Sequence, residues 1–352
     1  MEPNYQSIVK SIIESITIQS DDAFVIKGKT ITVLQRSAYQ HWNRPMQSFG
    51  ANTGEAVKKR EKLLLELTGK LYSTFYVSGN PDGKWFDEKK QPSAEEKNEF
   101  MNTLSAANQS TESWDPYWTV VSTDASGIVY IQKNGLLRTL VPHEWKPEQP
   151  LNGPLQVGAS ISVLNRKERR DLQPVFYYVY SKAFMPQGIS LGRFYFNVDP
   201  SIIAAFIQQL TTDMNRVQVP FLFKCLNHPL LYVRADSAVL YIEKKYFSIT
   251  AKILQHIIRN NPSFFTEPVP LFTKPIANGV AYAEDPGNGK SFGMFWSEMM
   301  AEGIIKAHEK GITQTNDIIA LVLAEFEKNG VDITKPYLRS NSLYPYDFSI
   351  FK

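Results

Sequence analysis

Four basic residues stand inside runs that are otherwise apolar, aromatic or strand-like. They are Arg193 in Gly-Arg-Phe-Tyr-Phe, Lys224 in Phe-Leu-Phe-Lys-Cys-Leu, Arg234 in Tyr-Val-Arg-Ala-Asp-Ser-Ala-Val, and Lys274 in Phe-Thr-Lys-Pro. A cation in such a setting is costly unless it meets an anion or lies at the rim of a cleft. Together the four point to an anion site within the stretch from Gly192 to Gly293. The same stretch supplies acids, Asp236, Glu284 and Asp285, and an acid candidate, His228, set before Pro229 in a turn between the runs of Lys224 and Arg234.

Other chemistries are excluded by spacing. Gly287-Asn288-Gly289-Lys290-Ser291 invites a phosphate-loop reading, but that motif requires a glycine where Glu284 stands. A capping turn into a helix starting near Ser291 is the better reading. There is no Gly-x-Ser-x-Gly elbow, no His-Glu-x-x-His helix and no His-Arg-Asp catalytic loop. The histidines at 41, 143, 228, 256 and 308 lack metal-ligand spacing, so neither a metal nor another cofactor is expected.

The elements that must position these residues follow from periodicity and turn chemistry. Helices are expected at Tyr5–Thr17, Gly54–Phe75, Tyr246–Arg259, Ser291–Lys310 and Thr315–Lys328, with another opened by Asp199 as N-cap and Pro200 as first residue. A hairpin is expected from Ala23–Ile26 and Thr30–Leu34. Strands follow at Trp118–Ser122, Gly127–Gln132, Leu136–Val141, Ala159–Leu164, Val175–Ser181 and Gly192–Val198, then at 220–225, 230–234 and 238–243. The pattern predicts an α+β fold: an antiparallel sheet-rich middle with helices packed in the N-terminal and C-terminal parts. Residues 1–80 read as an N-terminal α+β subdomain, 81–115 as a variable loop or linker, and 116–352 as the core, with Ser78–Pro92 a surface loop or boundary across the first junction.

With 352 residues, 43% of them hydrophobic and 21% charged, the chain has a globular composition. A formal net charge of +3 gives no field that argues for nucleic acid or an anionic membrane, so any positive site must be local. The single cysteine, Cys225, excludes an intrachain disulfide. No run approaches the roughly 18 apolar residues of a membrane span, and no cleavable signal pattern opens the chain. A cytoplasmic protein is expected, with export through a type III-like route left open.

Six motifs in one order resemble the HopA-type effector family: Gly-Arg-Phe-Tyr-Phe-Asn-Val-Asp-Pro (192–200), Val-Pro-Phe-Leu-Phe-Lys-Cys-Leu (219–226), Tyr-Val-Arg-Ala-Asp-Ser-Ala-Val-Leu-Tyr (232–241), Pro-Leu-Phe-Thr-Lys-Pro (270–275), Ala-Tyr-Ala-Glu-Asp-Pro (281–286) and Ser-Phe-Gly (291–293). The resemblance runs from about Leu71-Tyr72 to Tyr337-Leu338. HopA-like proteins paired with an aminoglycoside-phosphotransferase-like kinase mature class V lanthipeptides: the kinase phosphorylates Ser or Thr, and its partner eliminates phosphate to leave a dehydroamino acid. The resemblance therefore implies a phosphoserine/phosphothreonine lyase acting on a phosphorylated precursor peptide. A peptide-binding protein without catalysis is the alternative it leaves open.

Elimination requires a base for the α-proton, donors for the departing phosphate and, optionally, an acid. Arg234 and Arg193 suit phosphate through bidentate N–H donation. A lysine partly buried near other cations gives up its proton more readily, which makes Lys224 or Lys274 a candidate base. Lys224 is preferred, with Lys274 as a phosphate contact. Asp236 and Tyr232 would share the strand face of Arg234 by the period of two, Asp236 orienting the guanidinium, unless Arg234 and Asp236 are only a structural pair. Glu284 and Asp285 would hold the peptide backbone or a cation of the substrate.

Overall fold

The computed structural model describes residues 3–33, 55–86, 92–141, 143–186 and 188–352. Leu34, His41, Gly54 and residues 87–91 of the expected surface loop lie outside them. The chain opens with α1 (Tyr5–Glu14), whose first turn is capped by the Asn4 side chain accepting from the Ser7 amide at 3.1 Å. Val9, Ile12 and Ile13 are its buried stripe. The helix ends before Thr17 because Ile16 already begins β1 (Ile16–Ser20), which pairs with β2 (Ala23–Ile26), and β2 with β3 (Lys29–Thr32). Lys27 and Gly28 take φ of 50° and 72°, the two left-handed residues of a primed hairpin turn.

Next comes α2 (Glu55–Leu71), which passes directly into one π-helical turn, Tyr72–Tyr76. The stretch expected as a linker, 81–115, contains α3 (Ala94–Ala107). Its start is a reciprocal capping box in which Ser93 accepts from the Glu96 amide and Glu96 accepts from that of Ser93. Only Met101 and Leu104 of this helix are buried, too thin an apolar stripe for periodicity to reveal.

The expected run of strands divides into two antiparallel sheets. Five strands form the first: β4 (Ser113–Thr123), β5 (Val129–Lys133), β6 (Leu136–Leu140), β7 (Trp145–Pro147) and β8 (Ser160–Asn165), in the order β6-β5-β4-β8-β7. Trp118, Val120, Ile131, Leu140, Ile161 and Val163 make its small core. The second sheet contains β9 (Glu168–Arg169), β10 (Phe176–Tyr180), β11 (Leu191–Phe196), β12 (Phe221–Leu226), β13 (Ala238–Glu243), β14 (Lys274–Ala277) and β15 (Val280–Glu284). Its order is β14-β15-β11-β13-β12-β10-β9. Helix α4 (Ile203–Arg216) follows β11, and α5 (Phe247–Asn260) follows β13. The chain continues from β15 into α6 (Phe292–Glu309) and α7 (Thr315–Lys328).

Two strand and helix expectations are corrected. Residues 230–234 are not a strand: His228 and Pro229 start a short 3-10 turn, Pro229–Leu231, and the chain stays in turns until β13. Asp199 does not cap α4 either. It accepts from the amide and hydroxyl of Ser201 in a local turn, and α4 begins at Ile203 without a side-chain cap.

Alternation along the seven strands separates two cores. Phe194, Phe196, Phe221, Phe223, Leu240 and Tyr282 face α4 and α5. On the opposite face Tyr195, Val239, Ala281 and Ala283 meet α1, α2, the π turn, α6 and α7. The described N-terminal elements, α1, the β1–β3 hairpin strands, α2 and the π turn, thus share one core with the C-terminal helices. The fold is α+β, with helices on both faces of the large sheet. The contact between α6 and α7 is close enough that a Cβ on Gly303 would come within 2.6 Å of the Val322 Cα. Gly303→Ala is expected to force the helices apart and lower stability by about 1–3 kcal/mol, read as a shift in the denaturant midpoint.

Candidate functional site

Cross-strand register decides which of the candidates can work together, because directly opposed residues share a face. Arg193 opposes Tyr241, and Tyr241 opposes Leu222. Lys224, two residues further along β12, opposes Tyr178 and Val239. Arg193 and Lys224 therefore lie on one face, with Tyr241 between their strands. Phe176 on β10 belongs to the same face, and Arg234 reaches it from the turn before β13.

Two aromatic rings link these cations. The Lys224 ammonium lies 4.2 Å from the Phe176 centroid and 5.7 Å from that of Tyr241. The Arg193 guanidinium lies 5.2 Å from Tyr241, and that of Arg234 lies 5.9 Å from Phe176 and 5.7 Å from Tyr72. Electron-rich ring faces stabilise cations that have given up part of their hydration. Two clefts of about 480 and 350 Å³ lie elsewhere, against α4 and α5 and beside β9. The cation cluster is instead a half-buried patch of the sheet.

Both arginines are paired. Arg234 forms a two-pronged bond to Asp236 through Nε at 2.7 Å and Nη2 at 2.9 Å, and Nη2 also donates to the Tyr72 hydroxyl at 2.8 Å. Burial opposes the Arg234 charge, but Asp236 and Tyr72 more than offset it, so the guanidinium is held above its ordinary pKa. Arg193 is bonded to Asp285, with Nε at 2.9 Å from Oδ2 and Nη2 also on that oxygen. Burial opposes this charge as well, and Tyr195, Tyr241 and Asp285 together outweigh it. Lys224 differs: among the described residues it has neither a carboxylate partner nor a hydrogen bond, only its two rings.

Lys274, Glu284 and His228 stand apart from this cluster, while Tyr232 packs against the group of Phe176, Tyr178 and Leu226. Lys274 opposes Tyr282, which opposes Phe194, so Lys274 lies on the other face, with its ammonium 5.4 Å from the Tyr337 ring and 5.7 Å from that of Phe348. Glu284 opposes Gly192 and is on that other face too. There it accepts from Lys244 Nζ at 2.8 Å, the Arg339 amide at 2.9 Å, and the Ser342 and Tyr346 hydroxyls at 2.5 Å each. It is a buried anchor for the C-terminal segment rather than a substrate contact. His228 caps the 3-10 turn, its Nδ1 accepting from the Leu230 amide at 3.2 Å. Tyr232, expected on the Arg234 strand face, donates to the Leu226 carbonyl at 2.9 Å and packs edge-on against Phe100. Cys225 faces the α4–α5 core, where burial pushes its thiol up to about 12.

Burial raises the Glu284 pKa, while Lys244, Ser342, Tyr346 and the Arg339 amide pull harder the other way and leave it below the ordinary carboxylate range. A depressed carboxyl contributes stability above its unfolded pKa and loses it as pH falls through the folded one. Glu284→Gln is expected to lower stability at pH 7 by on the order of 1–3 kcal/mol. The gap to the wild type should narrow as pH drops below about 4, measured as denaturant midpoints across that range.

Sequence reasoning missed Tyr72, Phe176, Tyr178 and Tyr241. Tyr72 arrives on the π turn, a local rewinding frequent at functional sites and without a sequence signature. Tyr241 was the findable one, being two residues beyond Val239 on a strand neighbouring that of Lys224. The Ser291 capping turn is as expected, its side chain accepting from the Met294 amide at 3.2 Å.

Fold and site together define an α+β protein with a basic, tyrosine-rich patch on an antiparallel sheet. Residues 167–338 match the HopA1 effector protein family. Two solved structures are similar to the chain. The effector protein from Pseudomonas syringae pv. tomato strain DC3000 shares 18% identity, with 82% of this chain and 100% of that one covered and a TM-score of 0.43. The effector protein from Pseudomonas syringae pv. syringae strain 61 shares 18% identity over 78% of this chain and 89% of that one, with a TM-score of 0.40. No curated protein matches the chain. Among the described residues no helix is long and apolar enough to cross a membrane.

Proposed function

We propose that this protein is a phosphoserine/phosphothreonine lyase that removes phosphate from a kinase-modified peptide, leaving dehydroalanine or dehydrobutyrine, with no metal or cofactor in the step. The observation that carries this reading is the grouping of Arg193, Lys224 and Arg234 around Phe176 and Tyr241, with Lys224 alone lacking a carboxylate. Two arginines held charged by their surroundings, Arg193 by Tyr195, Tyr241 and Asp285 and Arg234 by Asp236 and Tyr72, supply donors for a phosphate dianion, and the unpaired lysine supplies the base. Lys224 as the free amine takes the Cα proton, the C–H electrons form the Cα=Cβ bond, and the Cβ–O pair leaves with phosphate. In this reading a separate kinase installs the phosphate on the precursor peptide.

A second reading, a phosphopeptide-binding protein without catalysis, is favoured by one feature. The Nε–Nη2 sides of both guanidiniums are already engaged by Asp236 and Asp285. Incubation with a Ser- or Thr-phosphorylated peptide in the presence of chelator separates the two. A lyase releases inorganic phosphate and leaves a peptide lighter than its unphosphorylated form by one water. A phosphopeptide that stays intact at enzyme excess overturns the lyase reading, and its retention on the protein supports the binder.

A further inference from the structure

Tyr241 occupies the centre of the patch. Its ring lies 5.2 Å from the Arg193 guanidinium and 5.7 Å from the Lys224 ammonium. Tyr72, Tyr178, Tyr195 and Arg193 all interact electrostatically with it. The neighbouring hydroxyls of Tyr72 and Tyr178 are committed, one accepting from Arg234 at 2.8 Å and the other bonded to Gln173 at 2.7 Å. The Tyr241 hydroxyl has no hydrogen-bond partner among the described residues, and the side chain is only half-buried. A phenol left unpaired between a free lysine and a paired arginine is a donor held for a group that arrives from outside.

We propose that Tyr241 is the acid of this site, giving its proton to the bridging oxygen of the departing phosphate. The inference rests on the lyase reading. Without protonation the leaving group would be the fully ionised phosphate, a poor one; with it, hydrogen phosphate departs. The step balances: Lys224 takes the Cα proton, the C–H pair becomes the double bond, and the Cβ–O pair stays on oxygen, which receives the Tyr241 proton. The Lys224 ammonium then returns a proton to the tyrosinate, restoring both groups. His228, the acid candidate of the sequence, is already committed to the Leu230 amide.

Tyr241→Phe keeps the ring beneath both cations and removes only the hydroxyl. With a phosphoserine peptide, kcat is expected to fall about 10²–10⁴-fold while KM stays close to the wild-type value. With the same peptide carrying S-phosphocysteine, whose bridging sulfur leaves without needing a proton, the loss should largely disappear. A merely structural role would depress both substrates equally, and that result overturns the proposal. So does an unchanged kcat on phosphoserine. Should the wild type prove inert on both peptides, the lyase reading falls and this one with it. An active wild type with an unaffected Tyr241→Phe sinks the acid assignment alone.

Discussion

Lys224→Ala is expected to lower phosphate release by about 10²–10⁴-fold, and Lys224→Arg to do nearly the same while retaining phosphopeptide binding. The pair separates two roles that one lysine can play. An ammonium that only attracts phosphate is replaced tolerably by a guanidinium, because the charge persists. A base is not, because arginine does not give up its proton in proteins. Phe176 and Tyr241 hold the ammonium at 4.2 and 5.7 Å, so the longer side chain keeps aromatic partners on both sides. Release kinetics and equilibrium binding of the phosphopeptide are the two measurements. Full activity in Lys224→Arg would exclude Lys224 as the base.

The second large effect concerns Asp236. Its carboxylate is buried and bonds Arg234 at 2.7 and 2.9 Å, so removing it strands a buried guanidinium whose remaining close partner is the Tyr72 hydroxyl. Breaking a buried pair on one side is far more costly than never having had it, and Asp236→Ala is expected to destabilise the fold by about 3–5 kcal/mol. The double change Arg234→Met with Asp236→Leu should recover much of that loss, because it removes both desolvated charges at once. Denaturant midpoints of the two variants test this. Equal midpoints for Asp236→Ala and the wild type would show that Arg234 finds water instead.

Which parts of this were readable beforehand follows from what encodes them. The stripe of Val9, Ile12 and Ile13 and the run around Phe221 and Phe223 report their elements because burial imposes a period. Helix α3 has no such stripe and went unseen. The turn holding Arg234 was mistaken for a strand because Tyr-Val-Arg-Ala-Asp-Ser alternates; Pro229 and the His228 cap break the extended chain just before it. The cations were recognisable by type and as one anion site, but which three of the four group together was not. It depends on Lys224 opposing Val239 and Arg193 opposing Tyr241, a register fixed by pairing between distant segments. Parity also divides sequence neighbours: Glu284 bonds the C-terminal segment on one face while Asp285 bonds Arg193 on the other.

The π turn has a consequence for modularity. Tyr72 and Tyr76 lie outside the 167–338 segment that matches the family, yet Tyr72 completes the contacts of Arg234 and a Cβ on Gly293 would collide with the Tyr76 ring. Helices α1 and α2 with this turn roof the sheet face that carries Val239, Ala281 and Ala283. The family segment is therefore not a transplantable cassette: excised, it would present that apolar face to water and leave one wall of the cation patch behind. Chimeras between relatives should carry the N-terminal roof and the sheet together, and substrate preference can drift through residues that a comparison limited to the shared segment would never align.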